Sequence, residues 1–246
     1  GQIFIYFLVC LQKMTKLNKD YSEWLSKNND IDVSSISLGQ LIDTAASKYQ
    51  DSEALVYSNQ PDVEEIRWTY NFLSNKSTEL ARGFLLEGLK PGDTVGVWGP
   101  NHPEWILTEY ALAKAGLKMV TLNPLYKEQE LIFALNTVEA KGLVHAEEIG
   151  GTKATNLIQK IKPEIKSLDH IYSFKSGLKK LILSGCQDSI NLPIVNPKDI
   201  FMIQYTSGTT GTPKAAQMTH EALITSSKNS HIRWKVSNSR SEERRV

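Results

Sequence analysis

Thr206, Ser207, Thr209 and Thr210 place four hydroxyls within five residues, with Gly208 and Gly211 among them and Lys214 just beyond Thr212 and Pro213. Those types at that spacing suit phosphate. Gly208 and Gly211 let the backbone take positive φ and approach a ligand with no Cβ in the way. Successive N–H groups in such a turn can face one concavity and hold an anion. The hydroxyls add neutral donors that rotate to meet phosphate oxygens. Pro213 stiffens the exit. Lys214 supplies a compact charge, and a charge-assisted hydrogen bond of this kind contributes about 1.5–3 kcal/mol. The stretch is not a Walker A loop, in which lysine directly follows glycine. Composition alone would equally suit a solvated surface loop; the order of the residues behind an apolar run is the more specific signal.

That loop needs a frame. Upstream, Ile200-Phe201-Met202-Ile203 reads as a buried strand; downstream, Thr219 is placed to cap a helix. The expected frame is therefore strand, loop, helix. Earlier in the chain, Leu38, Leu41, Ile42 and Ala45 fall at helical spacing. Ala54–Tyr57 and Glu65–Trp68 read as two strands joined by a turn at residues 58–62. Thr69 caps a helix striped by Leu73, Ser77, Leu80 and Phe84, which Gly88 ends. Strands at Val95–Trp98, Met119–Leu122 and Gly142–His145 alternate with helices from Pro103 to Ala115 and from Glu130 to Val138. Such alternation predicts an α/β fold with a mostly parallel sheet and crossover helices, and those sheets bind ligands at the carboxyl ends of their strands. Beyond Gly150 the pattern weakens: Leu157 and Ile161 suggest a helix, His170–Phe174 a strand, and Leu181–Pro197 reads as loop.

Composition sets outer limits. With 246 residues, 41% hydrophobic and 22% charged, the chain has ordinary globular composition. A formal net charge of +1 gives no reason to expect nucleic acid or an anionic surface as partner. Two cysteines, Cys10 and Cys186, make no disulfide framework, and five scattered histidines make no metal-ligand spacing. The apolar run Ile3–Leu11 is shorter than the ~20 residues a spanning helix needs, so a leader or buried strand is expected there and no stable membrane span.

The string from Tyr205 to Lys214 resembles the signature loop of the adenylate-forming superfamily, which joins acyl-CoA synthetases, luciferases and peptide-synthetase adenylation domains and reads approximately Y/F-T-S-G-T/S-T-G-x-P-K-G. The match runs through Lys214; Ala215 then stands where that family usually has glycine, and a methyl group there would restrict a backbone that needs positive φ. Other blocks resemble the fatty acyl-CoA synthetases of the family: Trp68-Thr69-Tyr70, Leu89 to Val95, and Gly116 to Pro124 followed by Tyr126 and Glu130-Leu131; Gly96 to Asn101 and Asn123-Pro124 resemble its medium-chain members in particular. The resemblance covers roughly residues 35 to 235.

The resemblance implies the N-terminal part of the adenylate-forming enzyme fold, incomplete: a leader or extension over 1–34, a partial AMP-binding domain over 35–235, a disordered tail over 236–246, and no small C-terminal domain. It implies activation of a fatty acid by ATP with Mg2+, then transfer to coenzyme A as co-substrate. Thr206, Ser207, Gly208, Thr209, Thr210, Gly211, Thr212, Pro213 and Lys214 would form the nucleotide loop, with Lys214 neutralising leaving-group charge. It implies a later aromatic-Gly-x-Thr-Glu motif, a ribose-binding aspartate and a C-terminal lysine, none of which occurs in these residues. His220 matches a family histidine and reads as a helix-start packing residue before a substrate contact. The resemblance to the medium-chain members implies a mitochondrial location, with cytoplasm as the alternative. Two other readings stay open: a non-catalytic short form that binds nucleotide weakly or a protein partner, and adenylation with a different acceptor.

Overall fold

The computed structural model describes residues 35–58, 65–187, 190–206 and 213–233. The apolar run at 3–11, the turn expected at 58–62 beyond Ser58, most of the signature loop and the tail from 236 fall outside them. Among the described residues no helix is long and apolar enough to cross a membrane.

Helix α1 (Leu38–Tyr49) starts at a capping box: Ser37 Oγ accepts from Gln40 N at 3.3 Å, and Gln40 Oε1 accepts from Ser37 N at 2.8 Å. Strands β1 (Glu53–Tyr57) and β2 (Ile66–Thr69) pair antiparallel. Thr69 then caps α2 (Tyr70–Leu86), its Oγ1 accepting from Phe72 N at 3.1 Å, and Gly88 releases the chain at φ +103°.

A parallel core follows: β3 (Thr94–Trp98), α3 (Pro103–Lys114), β4 (Lys118–Leu122), α4 (Glu128–Thr137) and β5 (Gly142–His145). A short hairpin, β6 (Glu148–Ile149) and β7 (Thr152–Lys153), leads into α5 (Ala154–Ile161) and β8 (His170–Ser173). Then come α6 (Ser176–Gln187), β9 (Ile200–Thr206), β10 (Lys214–Thr219) and α7 (His220–Arg233). The main sheet has six strands in the order β10-β9-β4-β3-β5-β8. All neighbours run parallel except β10, which is antiparallel to β9. The expected α/β architecture with a mostly parallel sheet is what forms.

Alternate strand residues feed two cores. Val95, Val97, Val144 and Phe201 meet α1, α2, α3, α6 and α7 on one face; Trp98, Val120, Leu143 and Ile203 meet α4 and α5 on the other. Burial on both faces explains why β3 and β5 read as continuous apolar runs.

Two features differ from the sequence expectation. Leu181–Gln187, expected as loop, is the second half of α6. Gly185 gives that segment a poor helix propensity, a cost of about 1 kcal/mol against alanine, but it is what lets α6 approach α2. A Cβ on Gly185 would lie 2.7 Å from Gly83 N and overlap the carbonyl of Glu79, and one on Gly83 would overlap the carbonyl of Leu181. Second, Lys214–Thr219 is a strand, so the frame of the signature loop is strand, loop, strand, helix. Ala, Gln, Met and Lys are good helix formers; pairing with β9 from Lys214↔Thr206 to Thr219↔Ile200 overrides that preference.

At the end of α3, Lys114 is buried. Its Nζ donates to Asp43 Oδ1 at 2.6 Å, Thr78 Oγ1 at 2.8 Å, Ser74 O at 2.9 Å and Ser74 Oγ at 3.2 Å, tying α1, α2 and α3 together. Burial holds the ammonium below the usual lysine range, partly offset by Asp43. Lys114→Ala, which removes the donor and leaves a void, is expected to cost about 3 kcal/mol in urea unfolding. Lys114→Met keeps the stem and removes the buried charge, and is expected to cost about 1 kcal/mol or less. Equal losses in the two variants would contradict this account of the site.

Candidate functional site

The site is built where the carboxyl ends of β4 and β9 lie side by side, with Thr121 opposite Gln204. That is the edge at which parallel sheets of this kind present ligand sites. Beyond Gln204, β9 runs on to Thr206, and the antiparallel partner β10 begins at Lys214, directly opposite Thr206. Thr206 Oγ1 lies 3.4 Å from the carbonyl of Lys214. Thr206, Pro213 and Lys214 are exposed at the mouth of this hairpin, while Ser207, Gly208, Thr209, Thr210, Gly211 and Thr212 lie outside the described residues. The signature loop therefore spans a β-hairpin rather than a strand-to-helix turn. The helix that follows, α7, starts at the far end of β10, away from the hairpin mouth.

A second sequence block converges on the same place. After β4, Asn123 Oδ1 accepts from Leu125 N at 2.9 Å, and the Asn123 carbonyl accepts from Trp98 Nε1 at 3.2 Å. The turn is thus fixed both by its own side chain and by the end of β3. Tyr126 follows, and Glu130 Oε2 accepts from Lys127 N at 3.0 Å at the start of α4. Between α4 and the hairpin lies a cavity of about 360 Å³ lined by Tyr126, Gln129, Glu130, Phe133, Ala134, Tyr205 and Pro213. Tyr205 OH donates to the Ala134 carbonyl at 2.6 Å and so pins the end of β9 to α4. Burial raises the Tyr126 phenol, with Glu130 adding to the effect, and burial likewise raises Tyr205. Both phenols stay neutral near pH 7 and act as hydrogen-bonding, not charged, groups.

Ala215 sits in β10 opposite Tyr205. Among the described residues, the non-glycine positions at positive φ are Gln50 and Glu139. Ala215 is in extended backbone, and its methyl group meets no φ restriction.

The remaining singled-out side chains are part of the packing. Trp98 is buried in the α4 face of the core, and Trp105 packs against the other. His145 is buried, its Nδ1 2.8 Å from the Ala146 carbonyl, and burial lowers its pKa. His102 pairs with Glu104 and stacks on Phe174. His170 Nδ1 lies 3.3 Å from Tyr172 OH. His220 opens α7 as a buried packing residue, 4.8 Å from the Phe201 ring centroid. Sequence reasoning missed the Tyr205–Ala134 bond and the cavity beside it. The advance signal was Tyr205 at the last buried position of β9, a hydroxyl-bearing ring that needs a hydrogen-bond partner once buried. Among the described residues no group of three or more His, Cys, Asp or Glu is placed to hold a metal.

Comparison with known proteins agrees with this fold. The profile of the family described as AMP-binding enzyme matches residues 42–244. The chain is 30% identical over 240 residues to the medium-chain acyl-CoA ligase ACSF2, mitochondrial, of Bos taurus, covering 87% of this chain and 38% of that protein. It is 34% identical over 209 residues to the acyl-CoA ligase SID4 of Ajellomyces capsulatus, covering 78% of this chain and 35% of the relative. Among solved structures, the long-chain-fatty-acid-CoA ligase FadD1 of Archaeoglobus fulgidus superposes with a TM-score of 0.73 at 26% identity, over 83% of this chain and 40% of that one. The chain thus spans well under half the length of the curated relatives it matches. With a family profile running through the sheet, the hairpin and the site at its mouth, the chain belongs to the AMP-binding enzyme family.

Proposed function

We propose that a protein carrying this chain activates a carboxylic acid with ATP and transfers it to coenzyme A, the acid being a fatty acid of medium chain length and the compartment the mitochondrion. The observation behind the reading is the convergence of the exposed hairpin mouth, Thr206 and Lys214, with the turn and helix from Asn123 to Leu131 at one sheet edge. The named relatives, acyl-CoA ligases of cattle mitochondria and of a fungus, support the reaction class, and the first supports chain length and location.

In this reading a fatty acid carboxylate attacks the α-phosphorus of ATP, and the bond to the bridging oxygen breaks as pyrophosphate leaves. The thiol of coenzyme A then attacks the acyl carbon of the mixed anhydride, giving the thioester and AMP. The chain's contribution is positioning and charge stabilisation. Ser207, Thr209 and Thr210 would donate to the β- and γ-phosphates, Gly208 and Gly211 would allow close approach, Thr206, Thr212 and Pro213 would shape the turn, and Lys214 would balance charge on the departing pyrophosphate. The resemblance also implies Mg2+, which would offset the charge of the triphosphate; among the described residues no group of three or more His, Cys, Asp or Glu is placed to hold it.

The test is exchange of labelled pyrophosphate into ATP by the complete protein that carries this chain. Exchange should require a carboxylic acid and be fastest with straight-chain acids of medium length. No exchange with any carboxylate, in folded protein, would end the ligase reading.

A second reading has one observation in its favour. β10 is an edge strand that pairs with β9 alone among the described residues, and Ala216 and Gln217 on it are exposed. An unpaired edge is a template for strand addition, which suits a short form that associates with a partner.

A further inference from the structure

His220 joins two elements that are far apart in sequence. It is the first residue of α7, directly after β10, and its ring is almost wholly buried at 1% exposure. Its Nδ1 accepts a hydrogen bond from Leu38 N at 3.2 Å. Leu38 N–H belongs to the first residue of α1, one of the donors a helix leaves without an internal partner. The Ser37–Gln40 box satisfies the neighbouring donors but not this one. The ring also stacks on Phe201 of β9 at an interplanar angle of 20°. Around it the backbone is clamped: His220 N donates to Asp199 O at 3.3 Å and Glu221 N to Pro197 O at 2.9 Å.

This junction matters because of how β10 is held. Among the described residues β9 is paired on both sides, by β4 and β10, whereas β10 is paired with β9 alone. Besides that ladder and the packing of Met218 and Ala215, β10 is held at its C-terminal end, where the two backbone clamps and the His220 ring meet. The ladder itself slips register between Met218 and Thr219, next to that end.

We propose that His220 is a positioning residue for the signature hairpin: its unprotonated Nδ1, engaged by the first amide of α1, fixes the base of β10 and with it the placement of Lys214 at the mouth. An Nδ1 that accepts is the Nε2–H tautomer of a neutral imidazole. A proton on Nδ1 would set donor against donor and put positive charge at a helix N-terminus, where the dipole opposes it.

The hairpin is accordingly pH-sensitive. Burial lowers the His220 pKa to about 4, with Asp199 acting in the opposite direction. Of the elements packed on the ring, the turn before β9 presents the Asp199 carboxylate, α1 presents its amide end, β9 presents the uncharged Phe201 ring, and α7 itself carries Glu221. The folded-state value lies below that of an unfolded histidine, so the contribution is complete above about pH 6.5 and is lost as pH falls towards 4.

The test uses the 246-residue chain. Side-chain nitrogen NMR should report the Nε2–H tautomer and a titration near pH 4. Amide exchange across residues 214–219, corrected for intrinsic rates, should accelerate about tenfold or more as pH falls, with the midpoint of the His220 titration. His220→Asn offers an acceptor that does not titrate and should keep the hairpin protected throughout. His220→Phe keeps the stacking but not the acceptor and should already exchange fast at pH 7. An Nδ1–H tautomer, a titration near the ordinary 6.5, or hairpin exchange that ignores the titration would overturn the proposal. Should the variants fail to fold, the wild-type titration and exchange decide it. The inference rests on reading the loop as the nucleotide clasp, yet these measurements need no catalysis. A protein without pyrophosphate exchange would lose the ligase reading and leave them standing.

Discussion

Gly185→Ala is expected to destabilise the chain by about 3 kcal/mol or more, read as a lower urea midpoint at unchanged slope. The new methyl group would overlap the Glu79 carbonyl and sit 2.7 Å from Gly83 N, and neither is the free end of a flexible side chain. The helices must separate, and α6 carries Leu178 and Leu181, α2 Leu80 and Phe84, all in the same core. The propensity gain of alanine in a helix, about 1 kcal/mol, opposes the effect and does not cancel it. Cys186→Ala, one residue on and exposed, is the control and should change stability by no more than about 0.5 kcal/mol. If the two variants unfold alike, the two helices do not pass at backbone contact.

Lys214→Ala should lower pyrophosphate exchange by the complete protein on the order of 10²–10³-fold, a loss carried mainly by kcat. The prediction depends on the proposed role, in which the ammonium meets charge that develops as pyrophosphate departs. Lys214 is exposed on an edge strand, and its pairing with Thr206 is through the backbone. The unfolding midpoint should therefore stay within about 0.5 kcal/mol of the parent. A loss of less than about tenfold would remove Lys214 from the charge-stabilising role and return it to the solvated surface. A large loss accompanied by an equal loss in stability would point instead to damage of the hairpin.

Much of the architecture was legible because local signals agreed with one another. Val95–Trp98 and Gly142–His145 announced buried strands, since both sides of each are covered by helices. Thr69 and Gly88 marked the ends of α2 because a side-chain acceptor and a positive-φ glycine act on their own backbone neighbourhood. The signature string was legible for a different reason: six of its residues lie outside the described structure, and their assignment rests on residue type and order.

The sequence by itself determined the α/β alternation and the family, because helix caps, apolar period and a motif's residue order act over a few residues. Tertiary structure alone decided four things. Lys214–Thr219 became a strand through its ladder with β9, against its own preference. Leu181–Gln187 stayed helical because Gly83 admitted Gly185. Lys114 found its acceptors on two other helices. His220 met an amide 182 residues away. Each of these is a pairing between distant segments, whose energy depends on relative placement and leaves no mark in the local order of residues.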